Sequence, residues 1–379
     1  MDRQTEIRII EELHGLAEVK SFFLDDTVHT YPVDIYFDPQ RFENENQRIF
    51  KRIPQIAAHS CELTEAGSFK TLNIAGLPAL LTRDKDMQVH AFLNVCRHRG
   101  AKIESEDTGC KRAFSCPYHA WTWDNQGKLK GVPHQRQGFP DLDKSTKGLV
   151  RLPVLEDLGL IWVIADPDST FDTKAYIAPL QDDFHWLKMS DHTVAHSETR
   201  TINCNWKILV EGGIEAYHFK VAHKNTIGPH FLDNLSSFEM LGHHMRSFLA
   251  KNSLKDINDH PQEAWNIREH GNVLYSLFAT DQFLIMDDHI AWISSNPISA
   301  DKTELKLTTL VPASENTPEK QDHWLRNHKI TVDTLMEDFE LGEMIQSGLK
   351  TGANKTLTFG RFEGALTRFN EEVDYWLNS

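Results

Sequence analysis

No run of apolar residues in this 379-residue chain approaches the length of a membrane span. The opening residues, Met1 to Gly15, have neither the apolar core nor the cleavage site of a signal peptide, so the expectation is a soluble, cytoplasmic protein. Basic residues are outnumbered, 40 Lys and Arg against 55 Asp and Glu, and the formal charge of −15 argues against nucleic-acid binding, which needs a basic surface to neutralise phosphates. Cysteine is scarce and odd in number, five in all, which excludes a disulfide framework. No Gly-x-Gly-x-x-Gly follows a strand, so nothing here binds a dinucleotide in the usual way. There are no internal repeats and no low-complexity segment.

What is present is ordinary globular material, 40% apolar and 25% charged, long enough for two domains. Within it stand two matched loops, Cys96-Arg-His98-Arg-Gly and Cys116-Pro-Tyr-His119-Ala-Trp, separated by the 17 residues Arg99 to Ser115. Each loop offers one thiolate and one imidazole. Two thiolates on one iron and two imidazoles on the other are the ligand set of a Rieske [2Fe–2S] centre. Cys2His2 is also a structural zinc set, but zinc fingers pair Cys with Cys and His with His, whereas each loop here carries one of each. Cys61, Cys110 and Cys204 are left over and are expected to be free, buried thiols; Cys110 lies between the loops but has no neighbouring His.

These loops, with Trp121-Thr-Trp-Asp-Asn-Gln-Gly-Lys-Leu after the second, resemble the cluster motif of the Rieske non-haem iron oxygenases, specifically the large (alpha) terminal oxygenase subunit of the aromatic-ring-hydroxylating dioxygenases. Respiratory Rieske proteins add a flanking disulfide. Ala101 and Tyr118 stand at those positions here, so that bridge is impossible.

Apolar spacing predicts a helix over residues 4–24 and a short one over Pro39–Arg52. Residues 69–74, 77–82 and 89–95 read as strands of a small antiparallel sheet, Asp124 to Lys128 as a turn, and 158–164 as a closing buried strand. Further on, 193–203 reads as a strand leading into a helix near Asn205. Strands recur near 273–278, 282–286, 290–294 and 304–311, and a long helix starts at Pro318. The expected fold is α+β: an N-terminal helical segment, 1–45, packing on the catalytic domain; a small antiparallel β Rieske domain, 46–165; and a larger helix-grip-like catalytic domain with an antiparallel sheet, 166–379.

A second constellation is Asn205-Trp-Lys, Glu211, Glu215, Tyr217-His218 and His223. On a helix Glu215 and His218 share a face, whereas His218 and His223, five apart, do not; the helix must end or distort for both to reach one ion. Two such histidines alone are more often ordinary surface or core residues. The string resembles the oxygenase family's mononuclear iron motif, in which two histidines and a later carboxylate hold Fe(II) and leave positions open for O2. The resemblance implies His218, His223 and Asp338 as ligands, with Glu337 and Glu340 close enough in sequence to compete with Asp338. It also implies that Glu215 bridges two metal centres of neighbouring subunits, accepting hydrogen bonds from His119 and His218. Many relatives have Asp there, and some that oxidise quaternary ammonium compounds have Glu. Gly212 stands where many relatives have Asn, and Leu277-Phe-Ala-Thr departs from a Leu-Phe-Pro-Asn pattern.

The implied function is O2-dependent hydroxylation of a small organic, aromatic substrate at mononuclear Fe(II). Electrons come through the [2Fe–2S] cluster from an NAD(P)H-dependent reductase, with or without a ferredoxin, and the implied assembly is a homotrimer. Oxidation or demethylation of a quaternary ammonium compound is the alternative, and a pure Rieske electron carrier or a zinc hydrolase are competing classes that each leave one motif unused. Phe231, Leu232, Phe248, Tyr275, Phe278, Phe283 and Met286 are candidates for an aromatic-lined pocket. Tyr217 is a pocket or packing residue, and His230, His243 and His244 are ordinary polar residues.

Overall fold

A computed structural model describes residues 1–379, and its contacts separate them into two compact units. One is Phe50–Ala175; the other joins Met1–Ile49 to Tyr176–Ser379. The expected junctions at 46 and 165 thus lie four and ten residues earlier than those at Phe50 and Ala175. The helix Pro39–Glu45 runs on into a turn at Asn46–Phe50, which keeps residues 46–49 with the first segment.

The Phe50–Ala175 unit is built from short antiparallel strands. Ser68–Ile74, Leu77–Arg83 and Val89–Leu93 form the centre of a five-stranded sheet, and Gln55–His59 pairs with Leu160–Val163 in a three-stranded one. A third sheet, Ala113–Ser115, Thr122–Asp124 and Leu129–Gly131, carries the second Cys-His loop between its first two strands. Phe69, Leu80, Phe92, Phe114, Trp121 and Trp123 fill the core beneath both loops. Of the leftover thiols only Cys204 is buried, and burial pushes it up to about 12; Cys61 is half-buried and Cys110 is exposed, which corrects the expectation of three buried thiols. Cys110 closes an edge strand against Ser68, so its side chain faces out.

In the larger unit a seven-stranded antiparallel sheet runs His192–Ile202, Lys302–Pro312, Ile290–Ser299, Asp281–Ile285, Gly271–Leu277, His244–Lys251, Phe231–Leu241. One row crosses all seven strands: His196, Thr309, Ala291, Leu284, Leu274, Ser247 and Phe238 sit opposite one another in turn. Directly paired residues point to one face. It is the face covered by helices, since Ile293 and Leu307, two residues from the row, and Leu305, four from it, pack on Val332 and Phe339 of the long helix Gln321–Leu349. The other face carries Arg246, Tyr275, Phe283 and Trp292, packed on Phe184 and paired with Asp183.

The N-terminal helix, Arg3–Glu18, is shorter than expected: Lys20 takes a left-handed conformation (φ 53°), and Val19 and Phe22 are exposed. It belongs to this unit, where Glu6 accepts the Ile267 N–H at 2.9 Å. The Asn-Trp-Lys string is an anchor. Asn205 caps the helix Trp206–Gly213 by accepting the Lys207 N–H, the Trp206 indole donates to Glu45 at 2.9 Å, and the Lys207 ammonium sits 2.6 Å from Glu45 with both side chains fully buried.

Candidate metal centres

The two Cys-His loops are the same turn built twice. The Cys96 N–H donates to Ala101 O and the Gly100 N–H to Cys96 O; the Cys116 N–H donates to Trp121 O and the Ala120 N–H to Cys116 O, all at 2.8–3.0 Å. The fifth residue of each loop is left-handed, Gly100 at φ 80° and Ala120 at φ 56°. This geometry aims all four side chains inward. Cys96 and Cys116 are 5% and 3% exposed. Burial pushes the Cys96 thiol up, and the adjacent Cys116 thiol adds to it, although backbone N–H groups of His98 and Arg99 oppose it. The imidazoles of His98 and His119 lie 4.8 Å apart between centroids, and His98 is stacked on Trp121. Their Nδ1 atoms are buried and have no hydrogen-bond partner. Buried, unpaired polar atoms are rare and costly, so two facing one another beside two buried thiols fit a bound metal centre.

The second group forms where the helix Trp206–Gly213 ends. Gly213 lies so close to Gln282 that a Cβ would sit 2.7 Å from its amide, and that amide donates to Val210 O at 3.0 Å. Glu215 therefore lies beyond the helix, which corrects the expectation of a shared helical face. It instead folds back, accepting the N–H groups of Tyr217 and His218 and pairing with His218 Nδ1. A separate short helix, Phe219–Ala222, carries the chain from His218 to His223. Beyond it Gly228 packs where a Cβ would meet Phe219 O at 2.6 Å and His223 O at 2.8 Å.

Three ligand atoms converge there, one each from His218, His223 and Asp338, all within 4.8 Å of one another. Asp338 Oδ1 lies 3.2 Å from His218 Nε2 and 2.9 Å from His223 Nε2. His218 Nε2 is buried and, despite that distance, makes no aligned hydrogen bond. Burial opposes protonation of His218, but Asp338 and Glu215 outweigh it and raise the imidazole to about 10; a dication between the same groups would displace that proton. Burial likewise works to raise Asp338, and its two histidines hold it below the usual carboxylate range. Two imidazoles and one carboxylate on one side of a point are the donor set that suits Fe(II) with open positions.

Among the three acidic candidates, Glu340 is exposed and outside the group. Glu337 does something the sequence reading missed: its Oε2 lies 2.6 Å from His223 Nδ1 and accepts the Thr226 hydroxyl at 2.7 Å. Each histidine thus has its own carboxylate behind it, Glu215 for His218 and Glu337 for His223. Such carboxylates fix the tautomer and orient the ring. The adjacent acidic pair on the long helix was the available signal.

The aromatic pocket candidates fare differently. Tyr275, Phe283 and Phe248 lie on the sheet face away from the metal group, because each is paired within the opposite register; Phe278 packs on Phe369 and Trp376. Of the set, Phe231 comes near, packing on Phe219, whereas Tyr217 is exposed against Phe362.

With this geometry in view, the family comparison is decisive. The ring hydroxylating alpha subunit catalytic domain matches residues 189–379, half of the chain, and the Rieske [2Fe-2S] domain matches 54–154. The chain belongs to the ring-hydroxylating alpha-subunit family. A Rieske [2Fe–2S] cluster and mononuclear iron follow from these two domains, and the orphaned imidazole nitrogens of both groups fit them. Among curated relatives, chlorobenzene dioxygenase subunit alpha of Cupriavidus sp. (strain PS12) is 33% identical over 53% of this chain and 45% of its own length. Glycine betaine monooxygenase oxygenase subunit of Pseudomonas aeruginosa (strain UCBPP-PA14) is 30% identical over 60% and 53%. The matched stretch thus spans about half the length of these relatives. A crystal structure of the quaternary ammonium Rieske monooxygenase CntA with an inhibitor has the same fold, with a TM-score of 0.78, 23% identity, and 92% of this chain and 95% of that chain covered.

No helix is long and apolar enough to cross a membrane.

Proposed function

We propose that this chain is the terminal oxygenase component of a multicomponent Rieske oxygenase, hydroxylating a small organic substrate with O2. The observation that carries the reading is the pair of preorganised donor sets: Cys96, His98, Cys116 and His119 in one unit, and His218, His223 and Asp338 in the other. When bound, the cluster supplies electrons singly and the mononuclear iron supplies O2 activation. The chain's own residues do the rest. Glu215 and Glu337 hold the Nδ1 protons of the two histidines, so that Nε2 of each is left to a metal. Lys207 and Glu45 hold the start of the helix that leads into this group.

An aromatic substrate is the primary reading, in line with the ring-hydroxylating family. A quaternary ammonium substrate is the second, favoured by Glu215 where many relatives have Asp and by the likeness to the glycine betaine enzyme. Electrons are proposed to arrive from an NAD(P)H-dependent reductase, directly or through a ferredoxin. The reading includes a ring of three copies in which Glu215 also accepts a hydrogen bond from His119 of a neighbouring copy. A monomer by light scattering that still turned over would sink the ring.

The test is His218→Ala. The reading expects loss of one iron per chain and of turnover, with the visible cluster spectrum unchanged. A colourless, zinc-loaded wild-type protein would reject it.

A further inference from the structure

Besides the metal group, the helix-covered face of the large sheet holds other buried polar atoms that lack a partner: His196 Nε2 and Ser247 Oγ on the sheet and Thr331 Oγ1 on the long helix. Native proteins satisfy such atoms, with water or a ligand where protein groups do not reach. His196 and Ser247 belong to the single row that crosses all seven strands. Between them the row offers Leu274, Leu284, Ala291 and Thr309. Leu284 stands in the central strand yet is only half-buried, and its neighbour in the row is the small, buried Ala291.

Ser247 stands near the far end of the row, and the other polar groups gather at the His196 end. Thr309 Oγ1 lies 2.8 Å from His328 Nδ1, and the His328 ring lies 5.7 Å from that of His196. Glu198, 3.6 Å from His328 Nε2, has its other oxygen held by Arg200 at 2.8 Å. Thr309, Thr331 and His328 are 1%, 7% and 5% exposed. Thr331 is seven residues from Asp338, two turns of one helix, so the two share a stripe about 10 Å apart along the axis. That is the span of a ring or short chain carrying one polar group.

We propose that this row is the floor of the substrate site and that His196, Thr331 and the Thr309–His328 pair form a subsite for a carboxylate on the substrate. The apolar body lies over Leu284 and Ala291, and the end to be oxidised lies towards Asp338. With its proton on Nε2, the His196 imidazole donates to a carboxylate, and the Thr331 hydroxyl supplies the second donor. The inference rests on the oxygenase reading and gives it a substrate class: a carboxylic acid, whether its body is an arene or a methylammonium.

The test is calorimetric binding to the iron-loaded protein with two matched pairs of probes, benzoate against benzyl alcohol and glycine betaine against choline. The carboxylate of at least one pair should bind more tightly than its alcohol. His196→Leu and Thr331→Val should each weaken that carboxylate about tenfold or more, since each removes a hydrogen bond to a charged group, while the alcohol stays within about twofold. His196→Gln, which keeps a donor, should recover part of the loss. No carboxylate binding at millimolar concentration, or equal weakening of both members of a pair, or no weakening, overturns the subsite. Turnover measured alongside separates the two readings: O2-dependent product with no carboxylate preference removes the subsite alone, and His196-dependent binding without any product removes the oxygenase reading.

Discussion

Glu45 and Lys207 tie the N-terminal segment to the helix that delivers the metal group, and removing one partner should expose how strongly. Both side chains are fully buried, the ammonium 2.6 Å from the carboxylate. Burial holds the Lys207 pKa down, and Glu45 opposes this. Glu45→Gln removes the countercharge and keeps one acceptor oxygen where there were two, so its NH2 group faces either the Trp206 indole or the ammonium. An uncompensated buried charge of this kind costs about 3–5 kcal/mol. For a domain of this size that lowers Tm by roughly 6–20 °C. Arg41, 3.2 Å from Glu45, retains Asp374 at 2.6 Å and so adds little. Scanning calorimetry of wild type, Glu45→Gln and Glu45→Gln/Lys207→Met reads the effect. The double variant should be more stable than the single one, because it removes the stranded charge. A single variant within about 1 kcal/mol of wild type, or a double variant less stable still, would refute the argument.

Four further outcomes are expected. Asp338→Ala should remove one iron per chain by metal analysis whereas Glu340→Ala should not; equal losses would mean that the long helix, and not one carboxylate, holds the ion. Burial raises Glu211 to about 7, against opposing hydrogen bonds from Asn370 and Tyr36. The folded protein therefore keeps a proton that the unfolded chain loses near 4.5, and stability falls as pH rises from about 4.5 to 7, by about 3 kcal/mol in all. Denaturant melts should show that slope shrinking in Glu211→Gln, and an unchanged slope would remove Glu211 as its source. Ala120→Gly should stabilise the cluster-bearing unit by about 1 kcal/mol and Gly100→Ala should destabilise it by a similar amount, read as opposite shifts in Tm, since both positions are left-handed. Gly228→Ala should weaken iron retention against a chelator, because its Cβ would press on the His223 and Phe219 carbonyls; unchanged retention would mean that the loop yields freely.

The parts of this molecule legible in its sequence are those with a local signature. The two Cys-His loops could be read because both the ligands and the turn that aims them lie within six residues. His218 and His223 could be read only with the resemblance, since neither the helix break at Gly213 nor the short helix between them shows in the spacing. The contact that ends the helix, Gly213 against Gln282, comes from a strand far along the chain. Glu337 escaped for the same reason: its partner His223 is 114 residues away. The strands Phe231–Leu241 and His244–Lys251 were missed because the second is buried on both faces and holds His, Arg and Ser where a half-exposed strand would alternate. The pocket aromatics were misassigned because sequence gives the parity of a strand but not which parity faces the metal group. One residue of register moves Tyr275 and Phe283 from one face to the other.

The most direct test of the account is a single turnover of the chemically reduced, iron-loaded protein with O2, with the products weighed after exposure to benzoate, a simple arene, glycine betaine, carnitine and choline. The account predicts one oxygenated product per mononuclear iron from at least one of them, a hydroxylated ring or an aldehyde released from a methylammonium, and none from His218→Ala. Reoxidation of the cluster by O2 with no product from any of these, while both metal centres are occupied, would contradict it.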